Sequence, residues 1–450
     1  MSQSTATTAT RYVGLDVHKR EITYCILAAD GATIAQGKFA LDRKALRHFA
    51  KNTLHAGDQV ALESTTNCWA VADIVKQHVA RVVVSNPMAT KAIAQSKIKT
   101  DKVDARVLAQ LLRCDFLPEV WQPDVATRLR RQLSGRRASL VGQRTQLRNR
   151  IHSVLAMRLI VPPIAASSGL FSKLGRTWLD QLTEKTIDAD GLDMIASDLR
   201  LLEALAVEID RFDARLTELA YGDARVKLLM TMPGVSVIVA QALVAAFGDI
   251  TRFATADKAA SYLGLVPSTK QSANTCYHGP ITKRGNSNAR WLLVQAAQHM
   301  LRQPGPLGHF FRRLKSRKNH NIAVVATARK MAMIAWRMLR YNEPYRYSPP
   351  RSTETKLARM RVSVTGRRRK SGPPKGEKAV AKLPGGSRTT KSLDAIYAQE
   401  GLPPRTPIRP GEAKHLAATE TAEFVRQIDQ SQTVPRTPTH PAQQKGKQKS

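Results

Sequence analysis

Apolar and polar positions change their rhythm along this chain. Near the N-terminus they favour short strands: residues 12–17 and 22–28, then 32–39 after the turn signal Asp30-Gly31. A helix follows. Asp42 can cap it, and Leu46, Phe49, Ala50 and Leu54 share one face. Residues 60–62 form a short buried strand ending at Glu63, residues 69–79 a helix, and residues 81–85 another strand. The middle then turns helical. Leu133, Leu140, Leu147 and Val154 recur every seven residues, one narrow apolar row with arginine on most neighbouring positions. A second helix, about 192–221, carries two heptad rows: Leu192, Leu199 and Ala206, and Ile195, Leu202, Ile209 and Leu216. From 225 to 342 the pattern is compact and helical. Met232-Pro-Gly-Val reads there as a helix–hairpin–helix turn or an ordinary tight turn, and a polar loop spans 268–286.

Three strands in hairpin order, then strand–helix–strand, is the order of a ribonuclease-H-like α/β fold. Composition adds a partner. The 450 residues hold 71 Lys+Arg against 35 Asp+Glu, a formal charge of +36 that a polyanion would relieve. No acid occurs from 125 to 179, and nothing local in the sequence neutralises the nine arginines between Arg128 and Arg158. A polyanion-facing surface on that first long helix is at least as good a reading as a structural coiled coil, which suits the second helix better. The last hundred residues hold 10 of the 23 prolines and read as a disordered basic tail, densest at Arg367-Arg-Arg-Lys370. Without them the body is still basic. Cys25, Cys68, Cys114 and Cys276 are too scattered for a zinc or disulfide framework, and aromatics at 5% argue against a protein built on base stacking. With no apolar leader and no apolar run long enough to span a bilayer, the expected compartment is the cytoplasm, beside the nucleoid, with no membrane partner.

The candidate chemistry lies in acids. Asp16 ends the first strand and Glu63 the fourth. Asp101 and Asp104, three apart, share one helical face. Singly each has a plain alternative: Asp16 as a turn residue, Asp101 as the partner of Lys99 or Lys102. Together they suggest a hard-cation site, with Mg²⁺ expected and Mn²⁺ as the alternative ion.

Gly14-Leu-Asp-Val-His-Lys, Leu62-Glu-Ser-Thr, Asn86-Pro and Lys99-Thr-Asp-Lys-Val-Asp-Ala-Arg resemble the one-ten family of insertion-sequence transposases. So do Met232-Pro-Gly-Val, Phe247-Gly-Asp, Arg252-Phe, Tyr262-Leu-Gly-Leu-Val-Pro and Gly279-Pro-Ile-Thr-Lys-Arg-Gly-Asn. The resemblance runs from about Arg11 to Tyr341 in family order. It implies a RuvC-like domain (11–122) whose Asp16, Glu63, Asp101 and Asp104 hold metal, coiled-coil helices (123–222) and a mostly α C-terminal transposase domain (223–345). The flanks, 1–10 and 346–450, are expected to be disordered. It also implies a catalytic serine a few residues after Gly264-Leu-Val-Pro. Ser272 matches, with Ser268 and Ser287 as rivals; relatives often carry glycine where this chain has Ala273.

The resemblance further implies guidance by a structured RNA that pairs with donor and target DNA, so the expected function is a DNA recombinase that combines metal carboxylates with a serine nucleophile. The alternative is a RuvC-like junction resolvase acting through metal-activated water, in which Ser272 is structural. Expected nucleic-acid contacts are Arg128, Arg130, Arg131, Arg136, Arg137, Arg144 and Arg148, with Lys270, Lys283 and Arg284. The expected partners are DNA, a guide RNA and further copies of the chain, as a dimer or tetramer.

Overall fold

The computed structural model describes residues 10–93, 100–163, 169–272, 275–367, 387–419 and 421–435. The chain divides into two compact units, 1–124 and 125–450.

The first unit runs β1 (Tyr12–Val17), β2 (Glu21–Leu27), β3 (Thr33–Ala40), α1 (Arg43–Asn52), β4 (Gln59–Glu63), α2 (Cys68–Val75), β5 (Arg81–Ser85), α3 (Pro87–Ile93) and α4 (Asp101–Arg113). The sheet order is β3-β2-β1-β4-β5. The first three strands pair antiparallel, while β4 is parallel to β1 and β5. This mixed sheet with helices fits a ribonuclease-H-like fold. Period-two alternation gives the sheet two unlike faces. Val13, Leu15, Val60 and Leu62 meet Leu46, Phe49, Val71 and Val75 of α1 and α2. On the opposite face the sheet's Cys25 and Ala61 meet Ala105, Leu108 and Ala109 of α4, mostly small residues that let this helix lie close. Gly14 is the closest point: a β-carbon there would stand 1.9 Å from the Ala105 carbonyl oxygen.

The second unit opens with α5 (Val125–Met157), α6 (Lys173–Asp180) and α7 (Ala189–Tyr221). Then come α8 (Ala224–Met230), α9 (Val237–Phe247), α10 (Ala256–Tyr262), β6 (Pro267–Ser272), β7 (Thr275–Ile281), α11 (Ser287–Gln298), α12 (Pro306–Lys315) and α13 (His320–Tyr341). The chain continues through α14 (Pro350–Thr365), β8 (Ser387–Thr390), α15 (Leu393–Gln399), α16 (Pro410–Ala418), α17 (Ala422–Ile428) and β9 (Gln432–Pro435).

The two long helices are antiparallel. Arg130 pairs with Asp223 just past α7, and Arg137, Arg150 and Arg158 pair with Asp213, Asp198 and Asp188 in descending order. Acids on or flanking α7 therefore neutralise four of the nine arginines, which α5 read alone does not reveal. They were hidden because they lie 30 to 93 residues further along the chain.

The expected disordered tail is corrected more strongly. Leu357, Met360, Leu393, Ile396, Tyr397, Leu416, Val425 and Ile428 belong to the same buried core as α8–α13. Tyr397 donates to the Tyr345 carbonyl at 2.7 Å. Most directly, the Lys356 ammonium of α14 donates to the carbonyls of Met230, Met232 and Val235, at 2.5, 2.8 and 3.3 Å. Those carbonyls belong to the end of α8 and the Met232-Pro-Gly-Val turn, where Lys356 adds a donor to carbonyls at and beyond the helix end, that of Met232 also accepting from the Val235 amide at 3.2 Å. The turn is buried, and a β-carbon on Gly234 (φ +75°) would stand 2.7 Å from the Ala296 carbonyl oxygen. The turn faces the core. The basic residues 368–370 lie outside the described residues.

Candidate active site

The acids of the first unit gather where β1 and β4 end, on the α4 side of the sheet. Leu15 pairs with Leu62 across the parallel strands, so Asp16 and Glu63 stand one step further along neighbouring strands. Both follow small residues on that face, Gly14 and Ala61. Asp101 and Asp104 occupy the first turn of α4, whose Thr100 caps the helix by accepting from the Val103 amide at 3.4 Å. The close packing at Gly14 holds this helix start near Asp16.

His18 completes the group. Its Nε2 lies 2.9 Å from Asp16 Oδ2 and 3.4 Å from Asp101 Oδ1. The three side chains offer ligand atoms all within 4.8 Å of one another. Asn67 helps hold the loop by donating to the His18 carbonyl at 3.2 Å. Burial raises the Asp16 pKa, and Asp101 and Asp104 add to the rise; the bond to His18 opposes it. For His18, burial disfavours the charged ring, but Asp16 and Asp101 outweigh it and raise its pKa. The donor set fits a divalent cation: hard oxygens, one imidazole, and crowded negative charge that a cation would relieve. Glu63 and Asp104 stand outside the 4.8 Å group, although Asp104 acts on Asp16 electrostatically. Lys99 lies outside the described residues.

In the second unit, β6 and β7 form an exposed two-stranded ribbon. Thr269 pairs with His278, Lys270 with Tyr277, Gln271 with Cys276 and Ser272 with Thr275. Ser272 is therefore at the ribbon's end, exposed, on the face that also carries Lys270 and Tyr277. Ser268 ties the two strands by donating to the Pro280 carbonyl at 3.1 Å. Ser287 begins α11. Residues 273 and 274 lie outside the described residues.

Two sequence motifs meet at the ribbon's base. Gly264 (φ +68°) leaves 2.3 Å between a would-be β-carbon and the Arg284 carbonyl oxygen, and Gly285 (φ +76°) leaves 2.0 Å to that of Tyr262. Arg290 clasps the crossing by donating to the Leu263 and Arg284 carbonyls, at 2.9 and 3.0 Å. Lys283 and Arg284 are exposed beside it.

Two family models match the chain: one described as a transposase, over residues 13–158, and one described as the transposase IS116/IS110/IS902 family, over residues 226–311. The chain belongs to the IS110 family of transposases. Family membership makes it a DNA strand transferase. Among its relatives, an uncharacterised protein of insertion element IS116 from Streptomyces clavuligerus is 28% identical, over 56% of this chain and 74% of its own. The transposase for insertion sequence element IS1111A of Coxiella burnetii is 26% identical, over 58% and 72%. A pilin gene-inverting protein of Moraxella bovis is 25% identical, over 74% and 97%.

Within this transposase the expected nucleic-acid arginines divide. Arg130 and Arg137 are engaged by Asp223 and Asp213, and Arg131 donates to the Ala245 and Ala246 carbonyls at 2.8 and 3.0 Å. Arg148 lies 4.9 Å from the Phe171 ring centre, and burial lowers its pKa. Arg128 is half-buried in the first turns of α5. Arg136 and Arg144 have no acidic partner among the described residues. His18 was missed in the sequence. The signal was there, since a residue two places after Asp16 on an extended segment faces the same way. Among the described residues no helix is long and apolar enough to cross a membrane.

Proposed function

We propose that this transposase cuts and rejoins DNA strands at a divalent-metal carboxylate centre, using Ser272 as a covalent nucleophile under the guidance of a structured RNA. The observation that carries the reading is the convergence of Asp16, His18 and Asp101 at the end of the sheet's central strand, in a chain whose two units are each matched by a transposase model. Asp16, Glu63, Asp101 and Asp104 would hold Mg²⁺ or Mn²⁺. Such an ion supplies activation of the attacking oxygen and stabilisation of the leaving one. The Ser272 hydroxyl attacks a DNA phosphorus and forms a phosphoserine bond. The P–O bond to the leaving strand breaks, and that oxygen takes up a proton. Lys270, on the same ribbon face, offers charge to a nearby phosphate. Lys283, Arg284, Arg136 and Arg144 supply backbone contacts in a chain of +36. The proposal includes an assembly of several copies, as a dimer or tetramer, and a cytoplasmic, nucleoid-side location suited to a DNA substrate.

Asp16→Asn should abolish strand transfer while the protein still melts cooperatively; unimpaired transfer would refute the metal assignment. With Ser272 intact, cleaved DNA should remain attached to the protein under denaturant, and Ser272→Ala should lose that adduct yet still bind DNA. If Ser272→Ala cleaves at the wild-type rate, water is the nucleophile and the resolvase reading replaces this one. Sequencing of co-purifying RNA tests the guide: a single recurrent structured species is expected.

A further inference from the structure

Apart from the acidic cluster and the ribbon, the second unit encloses a cavity of about 500 Å³ where α12 and α13 meet residues 343–347 and the start of α16. Its size is that of an ordinary small-molecule site. Part of its lining is apolar: Leu307 and Phe310 of α12 and Ile334 of α13. The rest is strongly cationic, interleaved with these side chains, and its charges do not cancel. Arg346 Nη1 pairs with Glu412 at 2.7 Å, and Tyr347 donates its hydroxyl to the same carboxylate at 2.5 Å. Glu343 is taken by Arg337 and Arg346, at 3.7 and 3.8 Å. Both acids of the cavity are thus used. Arg313, Lys330 and Arg409 also line it and have no acidic partner among the described residues. Arg313 lies 5.8 Å from the Phe310 ring centre, so cation and aromatic surface are neighbours.

This combination narrows the ligand. An apolar molecule would take water from three charges and return nothing. A bare inorganic anion would leave the aromatic lining unfilled. A ligand with a flat ring at one end and about two negative charges at the other satisfies both parts. We infer that the cavity binds a nucleoside 5′-phosphate, with the base against Phe310 and Ile334 and the phosphate among Arg313, Lys330 and Arg409. A terminal phosphate carries nearly two charges and matches three cations better than an internal phosphodiester, which carries one. Arginine suits the role because its planar fork meets phosphate oxygens in pairs. The nucleotide has two sources, a free molecule or the phosphorylated end of a strand, and the second rests on the nucleic-acid function proposed above.

The test uses the full chain. AMP and inorganic phosphate are titrated calorimetrically, and a fluorescent short oligonucleotide with or without a 5′-phosphate is followed by anisotropy. AMP should bind at least about tenfold more tightly than inorganic phosphate. If the source is a strand end, the 5′-phosphorylated oligonucleotide should surpass both AMP and its unphosphorylated form; if it is a free nucleotide, AMP should surpass both oligonucleotides. Lys330→Glu and Arg409→Glu, both at solvent-reached positions, should each weaken the preferred ligand by about tenfold or more. Phe310→Leu should weaken AMP but not inorganic phosphate. No binding of AMP or of the 5′-phosphorylated oligonucleotide, equal affinity for AMP and phosphate, or wild-type affinity in both charge variants that melt like wild type would overturn the inference. Asp16→Asn separates the two readings: it should lose strand transfer and keep AMP binding. Loss of AMP binding in the charge variants therefore speaks to the cavity, and loss of strand transfer in Asp16→Asn to the active site.

Discussion

A β-carbon on Gly14 would stand 1.9 Å from the Ala105 carbonyl oxygen and 2.7 Å from the Ala109 amide nitrogen, both backbone atoms that cannot swing aside. Gly14→Ala must therefore push α4 off the sheet, at a cost of about 1–3 kcal/mol. The shift carries Asp101 away from Asp16 and His18. The expected outcome is a lower melting temperature and, where Mn²⁺ binds at the proposed site and stabilises the wild-type protein, loss of that stabilisation, read by paired thermal melts. The strand-end positions of Asp16 and Glu63 were legible in the sequence because alternation along a buried strand leaves a carboxylate at its end conspicuous. The shared first turn of Asp101 and Asp104 was legible from their spacing of three. The role of Gly14 was not, because which helix presses on a strand is a tertiary fact. His18 was legible in principle, two residues beyond Asp16, and was passed over because the acids alone made a complete set.

Between elements, the ion pairs along α5 and α7 differ in what each partner loses. The Asp198 side chain is only 10% exposed, whereas that of Arg150 is 58% exposed. Arg150→Ala strands a buried carboxylate and should cost about 3 kcal/mol. Asp198→Ala leaves an arginine that can turn to water and should cost under about 1 kcal/mol. Chemical denaturation of the two variants checks the order, and equal losses would contradict it. The heptad rows announced both long helices. The pairing stayed hidden because antiparallel helices bring together residues far apart in sequence, and the acids opposite α5 all come after residue 180. The ribbon was read only as a polar loop. Its residues are exposed, so no alternation of buried and open positions marks it as two strands.

At the scale of the whole chain, the folded C-terminal segment changes what truncation means. Cutting after Pro349 removes Leu357, Met360, Leu393, Ile396 and Tyr397 from the core and uncovers the turn carbonyls that Lys356 holds. The shortened protein should aggregate or melt far below the full chain, as scanning calorimetry would show. Proline count and charge concealed this segment; its apolar anchors are few and widely spaced, but each is deeply buried. Lys356 also makes stability depend on pH. Burial pushes its pKa down to about 7 from an ordinary 10.5, while the three carbonyls work against that shift. Between those values the unfolded chain holds a proton that the folded chain gives up, so stability rises with pH. Urea melts from pH 7 to 9 should show that rise in the wild type and a flatter profile in Lys356→Met.

The ribbon of β6 and β7 has a geometric consequence of its own. Its base is clamped where Gly264 and Gly285 cross, and Ser272 lies five residues beyond Pro267, about 17 Å along the strand at roughly 3.3 Å per residue. A ribbon so anchored behaves as a caliper graduated in pleats. Adding one residue to each strand turns the hydroxyl to the opposite side and, with Ser272 as the nucleophile proposed above, should erase the protein–DNA adduct. Adding two restores its facing about 7 Å further out. Mapping the DNA end joined to the longer ribbon should then find the break at a displaced phosphate, the count of pleats having been transcribed into the position of the cut.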